Sequence, residues 1–309
     1  MKNALIILLT MSIALNFMLF LNQSSSKGTN KVVQKEEYLF LSKRIFAENQ
    51  NDILISFVPL RSAIRQYVEQ QKDEIGVYFE YLPSGNSIGA NDQLEVPIVS
   101  LVKIPIVMGV YKEIEKGRIK KDDLLTIKEE NLDKKFGSLW KKGVGYQITV
   151  NEAIRLTLVE SDNTASSLLL SLVPVSIDTV FDNLDIPKET KGKYHIVSPK
   201  SYSSIFRSLY LSSYLSQQSS NEILTILTQT IFNDKIAALP SKEIKVAHKI
   251  GVLNSINSEE HIYTDCGIVY VPSRPYVLCI FVNASEEKAR KHMQFISNMA
   301  YQYLIAINR

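Results

Sequence analysis

The stretch Val96-Pro-Ile-Val-Ser-Leu-Val-Lys-Ile-Pro105 decides how this chain is interpreted. It places Ser100 and Lys103 three residues apart, which on a helix brings a hydroxyl and an amine onto one face. Proline is tolerated only in a first helical turn, so Pro105 predicts that the helix begins close to Ser100. A serine there meets the helix dipole and free backbone N–H groups, which favour a developing oxyanion. Burial among apolar neighbours should lower the pKa of Lys103 towards that of a useful base.

Two further short patterns follow in order, Ser161-Asp-Asn163 and Lys249-Ile-Gly251. The first lies between two predicted helices, where its serine could relay a proton and its amide could hold a substrate amide. It is equally typical of a turn that caps the helix predicted from Thr164. Both roles are compatible, because an asparagine near a helix cap can still present its side chain.

The composition limits the class of protein. The chain has 309 residues, of which 45% are apolar and 22% charged, so a sizeable core is available and global disorder is excluded. A net charge of +3 and the lack of a recognised basic run interleaved with aromatic residues predict no nucleic-acid partner. Two cysteines and four histidines without CxxC, HExxH or a glycine-rich phosphate loop predict no metal and no cofactor.

The amino-terminal end suggests export. Residues 4–21 carry no charge and follow Lys2, which favours a cytoplasmic amino terminus with the rest of the chain outside. Eighteen residues are near the lower limit for a bilayer core of ~30 Å. We therefore assign residues 1–22 to a membrane anchor or signal segment. An uncleaved anchor is favoured because no good small-residue cleavage site follows, so the protein is expected to be extracytoplasmic, attached to the cytoplasmic membrane, or secreted if cleaved.

Residues 23–51 are predicted to form a linker or stalk, in which 23–35 are polar and 36–50 could add a short helical lead-in, and residues 52–309 a single domain. Hydrophobic spacing predicts helices over 53–71, 99–116, 164–172, 201–211 and 286–307, and a helix capped by Thr149 and Glu152. Strands are predicted over 75–82, before a Pro-Ser-Gly-Asn turn, and over 266–271 and 276–282. Strands at both ends with helices between them predict one antiparallel sheet covered by helices.

The three ordered motifs resemble those of active-site-serine β-lactamases and penicillin-binding proteins, whose signatures are S-x-x-K, S-D-N and K-T-G. The layout is most similar to class A β-lactamases, and the resemblance covers roughly residues 52–309. It implies an α+β fold, an α/β/α sandwich. Its antiparallel sheet would be flanked by N- and C-terminal helices on one side, with an all-helical subdomain carrying S-x-x-K and S-D-N.

The resemblance also implies roles for individual residues. Ser100 would be the nucleophile that becomes acylated, Lys103 its base or proton partner, and Ser161 a proton shuttle towards the leaving nitrogen. The implied substrate-binding residues are Asn163 for an amide, Lys249 for a carboxylate, and Gly251 with Val252. The oxyanion would be held by the backbone N–H groups of Ser100 and Val252.

Two departures from the family pattern affect the expected activity. Ile250 replaces the threonine of K-T-G and removes a hydroxyl that would help to bind a carboxylate, a loss of about 1.5–3 kcal/mol. Class A enzymes also use a loop glutamate to position the deacylating water. The corresponding stretch 185–198 is short, and its one glutamate, Glu189, lies among lysines and is interpreted as solvated. The acyl-enzyme should therefore clear slowly.

The remaining polar candidates are expected to be structural. Glu160 should cap a helix, and strand alternation points His248 away from Lys249. His195, His261 and His292 are isolated and expected on the surface or packed. If Val271 pairs with Tyr276, the two cysteines Cys266 and Cys279 are diagonal neighbours, which favours buried thiols over a disulfide.

Three functions remain open. The first is an exported serine hydrolase that acts on β-lactams through a Ser100 acyl-enzyme. The second is a D-Ala-D-Ala carboxypeptidase that acts on cell-wall peptides, and the third is a catalytically silent wall-peptide binding protein. Ile250 is the main support for the third function. Five retained residues argue together against it: Ser100, Lys103, Ser161, Asn163 and Lys249. The missing loop glutamate separates the first two functions. A monomer is expected.

Overall fold

The computed structural model describes residues 39–41, 55–172, 177–238, 243–254 and 261–307. The predicted anchor or signal segment, residues 1–22, lies outside the described residues, as does the predicted linker apart from 39–41. At that point the ring of Phe40 meets the ring of Tyr270 edge-on at 5.0 Å. The Phe40 N–H donates to Asn221 Oδ1 (3.2 Å), so this short segment packs against the body of the protein.

The helices of the described part are α1 (Val58–Glu69), α2 (Lys103–Glu115), α3 (Val150–Val159), α4 (Asn163–Leu172), α5 (Ile177–Asn183), α6 (Pro199–Leu211), α7 (Gln217–Leu227) and α8 (Glu286–Ala306). The strands are β1 (Glu74–Tyr81), β2 (Asn86–Ala90), β3 (Val96–Pro97), β4 (Leu124–Thr126), β5 (Gln147–Thr149), β6 (Thr190–Lys191), β7 (Tyr194–Val197), β8 (Val246–Asn254), β9 (His261–Val269) and β10 (Tyr276–Asn283). Short 3-10 turns cover Val99–Val102, Glu129–Asn131 and Leu139–Lys142.

Five strands form one antiparallel sheet in the order β2-β1-β10-β9-β8, which leaves β8 at an edge. Alternation along the strands divides their side chains between two cores. In β1, Ile75, Val77 and Phe79 pack with α1 and α8. In β10, Val277 and Phe281 lie on the opposite face of the sheet and pack with helices α2 to α7. This layering confirms the α+β prediction.

Two predicted helix starts differ from the structure for local reasons. The helix predicted over 53–71 begins at Val58, because Pro59 fits only the first turn. The helix predicted over 99–116 is divided into the 3-10 turn Val99–Val102 and α2. The cap predicted at Thr149 is present, since its Oγ1 accepts the Glu152 N–H at 3.1 Å.

The predicted pairing of the last two strands was wrong by two residues. Tyr276 lies opposite Val269 rather than Val271, which places Cys266 directly opposite Cys279. The two cysteines are joined by a disulfide between β9 and β10, so the expectation of two free thiols was wrong. The turn explains the shift, because the Val271 carbonyl accepts the Arg274 N–H (2.9 Å) within the connection and Val271 therefore does not pair with Tyr276.

Among the described residues, no single helix is long and apolar enough to cross a bilayer. Helices α4 and α5 taken together would be long and apolar enough to cross a bilayer, by length and composition alone, but their axes differ by 77°. Both helices contribute to the helical core, with Leu168, Leu169, Val180 and Phe181 buried. Their apolar character is therefore accounted for by packing within the domain.

Candidate active site

Ser100 lies in the 3-10 turn between β3 and α2, where hydrogen bonds from two other elements hold the backbone. The Ile98 N–H donates to the carbonyl of His195 in β7 (3.1 Å). The buried Tyr202 hydroxyl of α6 donates to the Leu101 carbonyl (2.8 Å). Val99 has φ +43°, a left-handed conformation that is strained for a β-branched residue. The residue before Ser100 is thus held in a costly conformation by its surroundings.

Lys103 opens α2 and is 4% exposed. Its Nζ lies 3.3 Å from Ser100 Oγ and 3.0 Å from Ser161 Oγ. It also donates to the Ser161 carbonyl (2.5 Å) and to Asn163 Oδ1 (2.6 Å). Burial lowers the pKa of Lys103 to about 8, although the carboxylates of Asp162 and Asp133 oppose that shift. About one amine in ten is therefore neutral at pH 7 and able to accept a proton.

The loop of Ser161, Asp162 and Asn163 joins α3 to α4 and is fixed by its aspartate. The buried Asp162 carboxylate accepts the N–H groups of Ser138 (2.7 Å), Leu139 (2.8 Å) and Ala165 (2.8 Å). It thereby caps α4 and ties the loop to residues 138–139. Ser161 has φ +55°, and this turn directs its side chain towards Lys103. The capping interpretation of this loop is therefore confirmed for Asp162, while Ser161 and Asn163 contact Lys103.

Lys249 of β8 reaches the same serine from the other side. Its Nζ lies 2.7 Å from Ser161 Oγ and 3.2 Å from the Ile250 carbonyl. Burial and the nearby charge of Lys103 hold the pKa of Lys249 well below its usual range, and Asp265 opposes that shift. Ser161 Oγ thus bridges two buried amines. A chain of polar contacts runs from Ser100 through Lys103 and Ser161 to Lys249.

Gly251 allows the edge strand to lie against the Ser100 turn. A Cβ at this position would lie 2.9 Å from the Ile98 carbonyl oxygen and 3.5 Å from the Ser100 nitrogen. Any side chain would therefore collide with the backbone of the Ser100 turn. Val252 follows on β8, opposite Tyr263. The structure thus brings β8 at Gly251 beside the Ser100 backbone.

Alternation along β8 separates Lys249 from its two neighbours. Ile250 is buried and lies opposite Asp265 on β9. His248 is fully buried, with Nδ1 2.9 Å from Asp265 Oδ1, so it lies on the face away from Lys249 as predicted. Ile250 therefore shares the sheet face of a buried histidine–aspartate pair.

Two phenylalanines close one end of the site and were not predicted. The rings of Phe136 and Phe232 lie 5.6 Å apart, and Phe232 lies 6.0 Å from Lys249 Nζ. The Phe136 carbonyl accepts the Asn163 N–H (3.1 Å). They come from loops almost a hundred residues apart, and no local sequence pattern links them. They form an aromatic wall beside the Ser161–Lys249 contact.

The other polar residues that the sequence analysis considered lie outside this site. Glu189 is exposed at the start of the short β6–β7 hairpin, as expected for a solvated residue. Glu160 ends α3 and accepts the Ser138 hydroxyl (3.2 Å), which agrees with the predicted capping role. His292 contacts Tyr67 and Asp73, and the His195 ring packs on Phe181. His261 is exposed.

The family assignment follows from comparison with known sequences. The model of the Beta-lactamase enzyme family (Beta-lactamase2) matches residues 59–304, which includes all three motifs. The chain belongs to this family. It is accordingly a serine hydrolase of the β-lactamase type, as the motifs predicted.

Individual β-lactamases are similar over most of their length. Beta-lactamase VEB-1 of Pseudomonas aeruginosa is 24% identical over 77% of this chain and 86% of its own. A Beta-lactamase of Phocaeicola vulgatus is also 24% identical, over 80% of this chain and 85% of its own.

Solved structures share the fold at low identity. PBP-A superposes with a TM-score of 0.74 at 22% identity, covering 81% of this chain and 97% of that chain. The TLA-3 extended-spectrum β-lactamase gives a TM-score of 0.74 at 19% identity, covering 81% and 100%. A PBP-A variant in an acyl-enzyme complex with penicillin-G gives 0.73 at 23% identity, covering 80% and 97%. These likenesses show the β-lactamase/transpeptidase-like fold.

Proposed function

We propose that Ser100 is the nucleophile of this serine hydrolase and that β-lactams acylate it. One observation carries the proposal: Lys103 Nζ contacts both Ser100 Oγ (3.3 Å) and Ser161 Oγ (3.0 Å), and Lys249 Nζ contacts the same Ser161 Oγ (2.7 Å). Nucleophile, base and proton relay are thus adjacent, which is the arrangement that acyl transfer requires. These contacts also argue against a silent binding protein.

Each group has a role in the acylation step. Ser100 Oγ attacks the carbonyl carbon of the lactam while its proton passes to the neutral amine of Lys103. The backbone N–H groups of Ser100 and Val252 hold the resulting oxyanion. When the carbon–nitrogen bond breaks, Ser161 delivers a proton to the leaving nitrogen and is reprotonated by Lys103 or Lys249. Lys249 attracts the substrate carboxylate, and Asn163 binds the substrate amide.

Deacylation should be slow, because no carboxylate is placed to activate water. Across the described ranges, no Asp or Glu side chain forms a hydrogen bond with Ser100, Lys103 or Ser161. The one glutamate of the loop before α6, Glu189, is exposed. The solved penicillin complex of a PBP-A variant, an acyl-enzyme, agrees with such behaviour in this fold. The same property would suit a D-Ala-D-Ala carboxypeptidase that acts on wall peptides, the second candidate.

A time course of intact-protein mass after mixing with penicillin G tests this proposal. We expect one adduct to form on the full chain and to persist long after the free drug is removed. The Ser100→Ala variant, which retains every backbone contact of the turn, should give none. Rapid loss of the adduct with turnover would instead identify an efficient β-lactamase. Equal adduct on the alanine variant would exclude Ser100 as the nucleophile.

The pH dependence of acylation should follow Lys103. Only the neutral amine accepts the serine proton, so the acylation rate should rise about tenfold per pH unit below 8 and level off above it. Asp133→Asn removes a charge that raises the pKa of Lys103, so its midpoint should lie at lower pH. Stopped-flow acylation with a chromogenic cephalosporin across pH 5.5–9.5 measures both profiles. A rate independent of pH in both proteins would contradict the assignment of the base.

We also propose that the protein is exported and held at the cytoplasmic membrane. The uncharged residues 4–21 support this, and so does the Cys266–Cys279 disulfide, because disulfides persist mainly in oxidising compartments. In cells that produce the full chain, external protease should degrade it, and both cysteines should resist alkylation until reduced. A protease-protected protein with two reactive thiols would contradict export.

A further inference from the structure

One loop carries a charge excess equal to that of the whole protein. Residues 133–147, Asp-Lys-Lys-Phe-Gly-Ser-Leu-Trp-Lys-Lys-Gly-Val-Gly-Tyr-Gln, hold four lysines and one acidic residue. Their net charge is therefore +3, the same as the net charge of all 309 residues. We call this segment the basic loop. It runs from the 3-10 turn Glu129–Asn131 to β5 and includes the turn Leu139–Lys142.

The four lysines of the basic loop, Lys134, Lys135, Lys141 and Lys142, are all exposed, and none forms an ion pair with another described residue. Aromatic rings support three of them. Lys134 and Lys141 each place Nζ 5.9 Å from the centre of the Trp140 ring, and Lys142 Nζ lies 5.4 Å from that of Tyr146. Cation–π contacts of this kind support the stems while the ammonium groups remain in water. The charges are thus concentrated and available to a partner.

Apolar side chains lie between these charges. Val144 is 57% exposed, Tyr146 41% and Phe136 37%, so the surface alternates cations with rings and aliphatic groups. The loop is also anchored, because Asp162 accepts the N–H groups of Ser138 and Leu139. Gly137, at φ +88°, has no room for a side chain against Asp162. The basic loop therefore presents a fixed surface at the edge of the Ser161 site.

We propose that the basic loop, which lies beside the catalytic cleft, is a docking surface for a linear polyol phosphate, a polyanion whose repeating phosphodiester groups carry no nucleobases. Charge complementarity supports a polyanion. The position favours a thread-like partner over a membrane: Phe136 belongs to the aromatic wall of the cleft, so a bilayer seated on the loop would cover the entrance. The expectation of no basic run interleaved with aromatic residues was wrong, because residues 134–142 hold two lysine pairs with Phe136 and Trp140 between them. The fold brings one lysine of each pair, Lys134 and Lys141, to the Trp140 ring.

This inference goes beyond the proposed acyl transfer and does not depend on Ser100. Binding of dye-labelled poly(glycerol phosphate) to the full chain, followed by fluorescence anisotropy, tests it. Lys141→Glu/Lys142→Glu should weaken binding by roughly tenfold or more. Lys72→Glu/Lys245→Glu changes the net charge equally at exposed lysines elsewhere and should change binding less than about twofold. Trp140, the single tryptophan, should change its fluorescence on binding.

Several results would overturn the proposal. If both double variants weaken polymer binding equally, the binding depends only on the net charge of the protein. If neither variant weakens polymer binding, the basic loop is not the binding surface. Phosphatidylglycerol vesicles and a single-stranded oligonucleotide serve as alternative partners. If the loop variant loses vesicle or oligonucleotide binding while polymer binding is unchanged, the partner is a membrane or a nucleic acid instead. Penicillin acylation of both variants should match that of the parent protein, which separates this test from that of the proposed function.

Discussion

We expect Lys103→Met to lower the rate constant for acylation by penicillin G by about 10³-fold and to retain the fold. Lys103 Nζ lies between Ser100 Oγ and Ser161 Oγ, so its loss leaves the serine proton without an acceptor. Methionine matches the length and apolar character of the stem, which is buried beside Ile104. Removing the Lys103 charge should also raise the pKa of Lys249, because that charge is one cause of its lowered value.

The control is Lys120→Met, an exposed lysine outside the site whose loss should leave acylation unchanged. Stopped-flow acylation gives the rates, and thermal unfolding verifies that both variants are folded. In Lys103→Met the acylation rate should also no longer increase with pH below 8. If this folded variant acylates within tenfold of the parent protein, Lys103 is not the base.

Gly251→Ala is expected to lower acylation by about 10²-fold, an effect comparable to the loss of one oxyanion donor. The added Cβ would lie 2.9 Å from the Ile98 carbonyl and even closer to Thr264 Oγ1. To relieve the contact, β8 must move away from the Ser100 turn. That movement displaces the Val252 N–H from the position where the oxyanion forms. Acylation rates at saturating penicillin measure the effect.

Thr264 provides the matched control for Gly251. Thr264→Ala removes the hydroxyl that crowds the new Cβ but leaves the Ile98 carbonyl in place. We therefore expect Thr264→Ala to acylate at nearly the parent rate and the double variant to remain as slow as Gly251→Ala. Full recovery in the double variant would show that the side-chain contact, and not the approach of β8 to the nucleophile turn, limits this position.

The parts of the site that were predictable are those written in short motifs. Ser100 and Lys103 share one turn of chain, so their spacing and the position of Pro105 were sufficient to place them together. Ser161 and Lys249 are distant in sequence, and only the resemblance to a family with the same motif order predicted their meeting. The structure supplies the physical link, a single hydroxyl that contacts both amines.

The register of β9 with β10 and the aromatic wall of Phe136 and Phe232 were not predictable, because both depend on contacts that form only in the folded chain. The pairing of β9 with β10 depends on the turn that joins them, in which the Arg274 N–H donates to the Val271 carbonyl (2.9 Å). Because Val271 belongs to this turn, Tyr276 pairs with Val269 and the two cysteines come opposite each other. The approach of Phe232 to Phe136 likewise requires the completed fold.

The most direct test of the account is to locate the acyl group. Trypsin should release the peptide 73–103, which ends at Lys103 and contains Ser84, Ser87 and Ser100. After reaction with penicillin G, fragment ions of this peptide should carry the added mass on Ser100 alone, and the peptide that contains Ser161 should be unmodified. An adduct on any other residue, or none on the peptide 73–103, would contradict the assignment of Ser100 as the nucleophile.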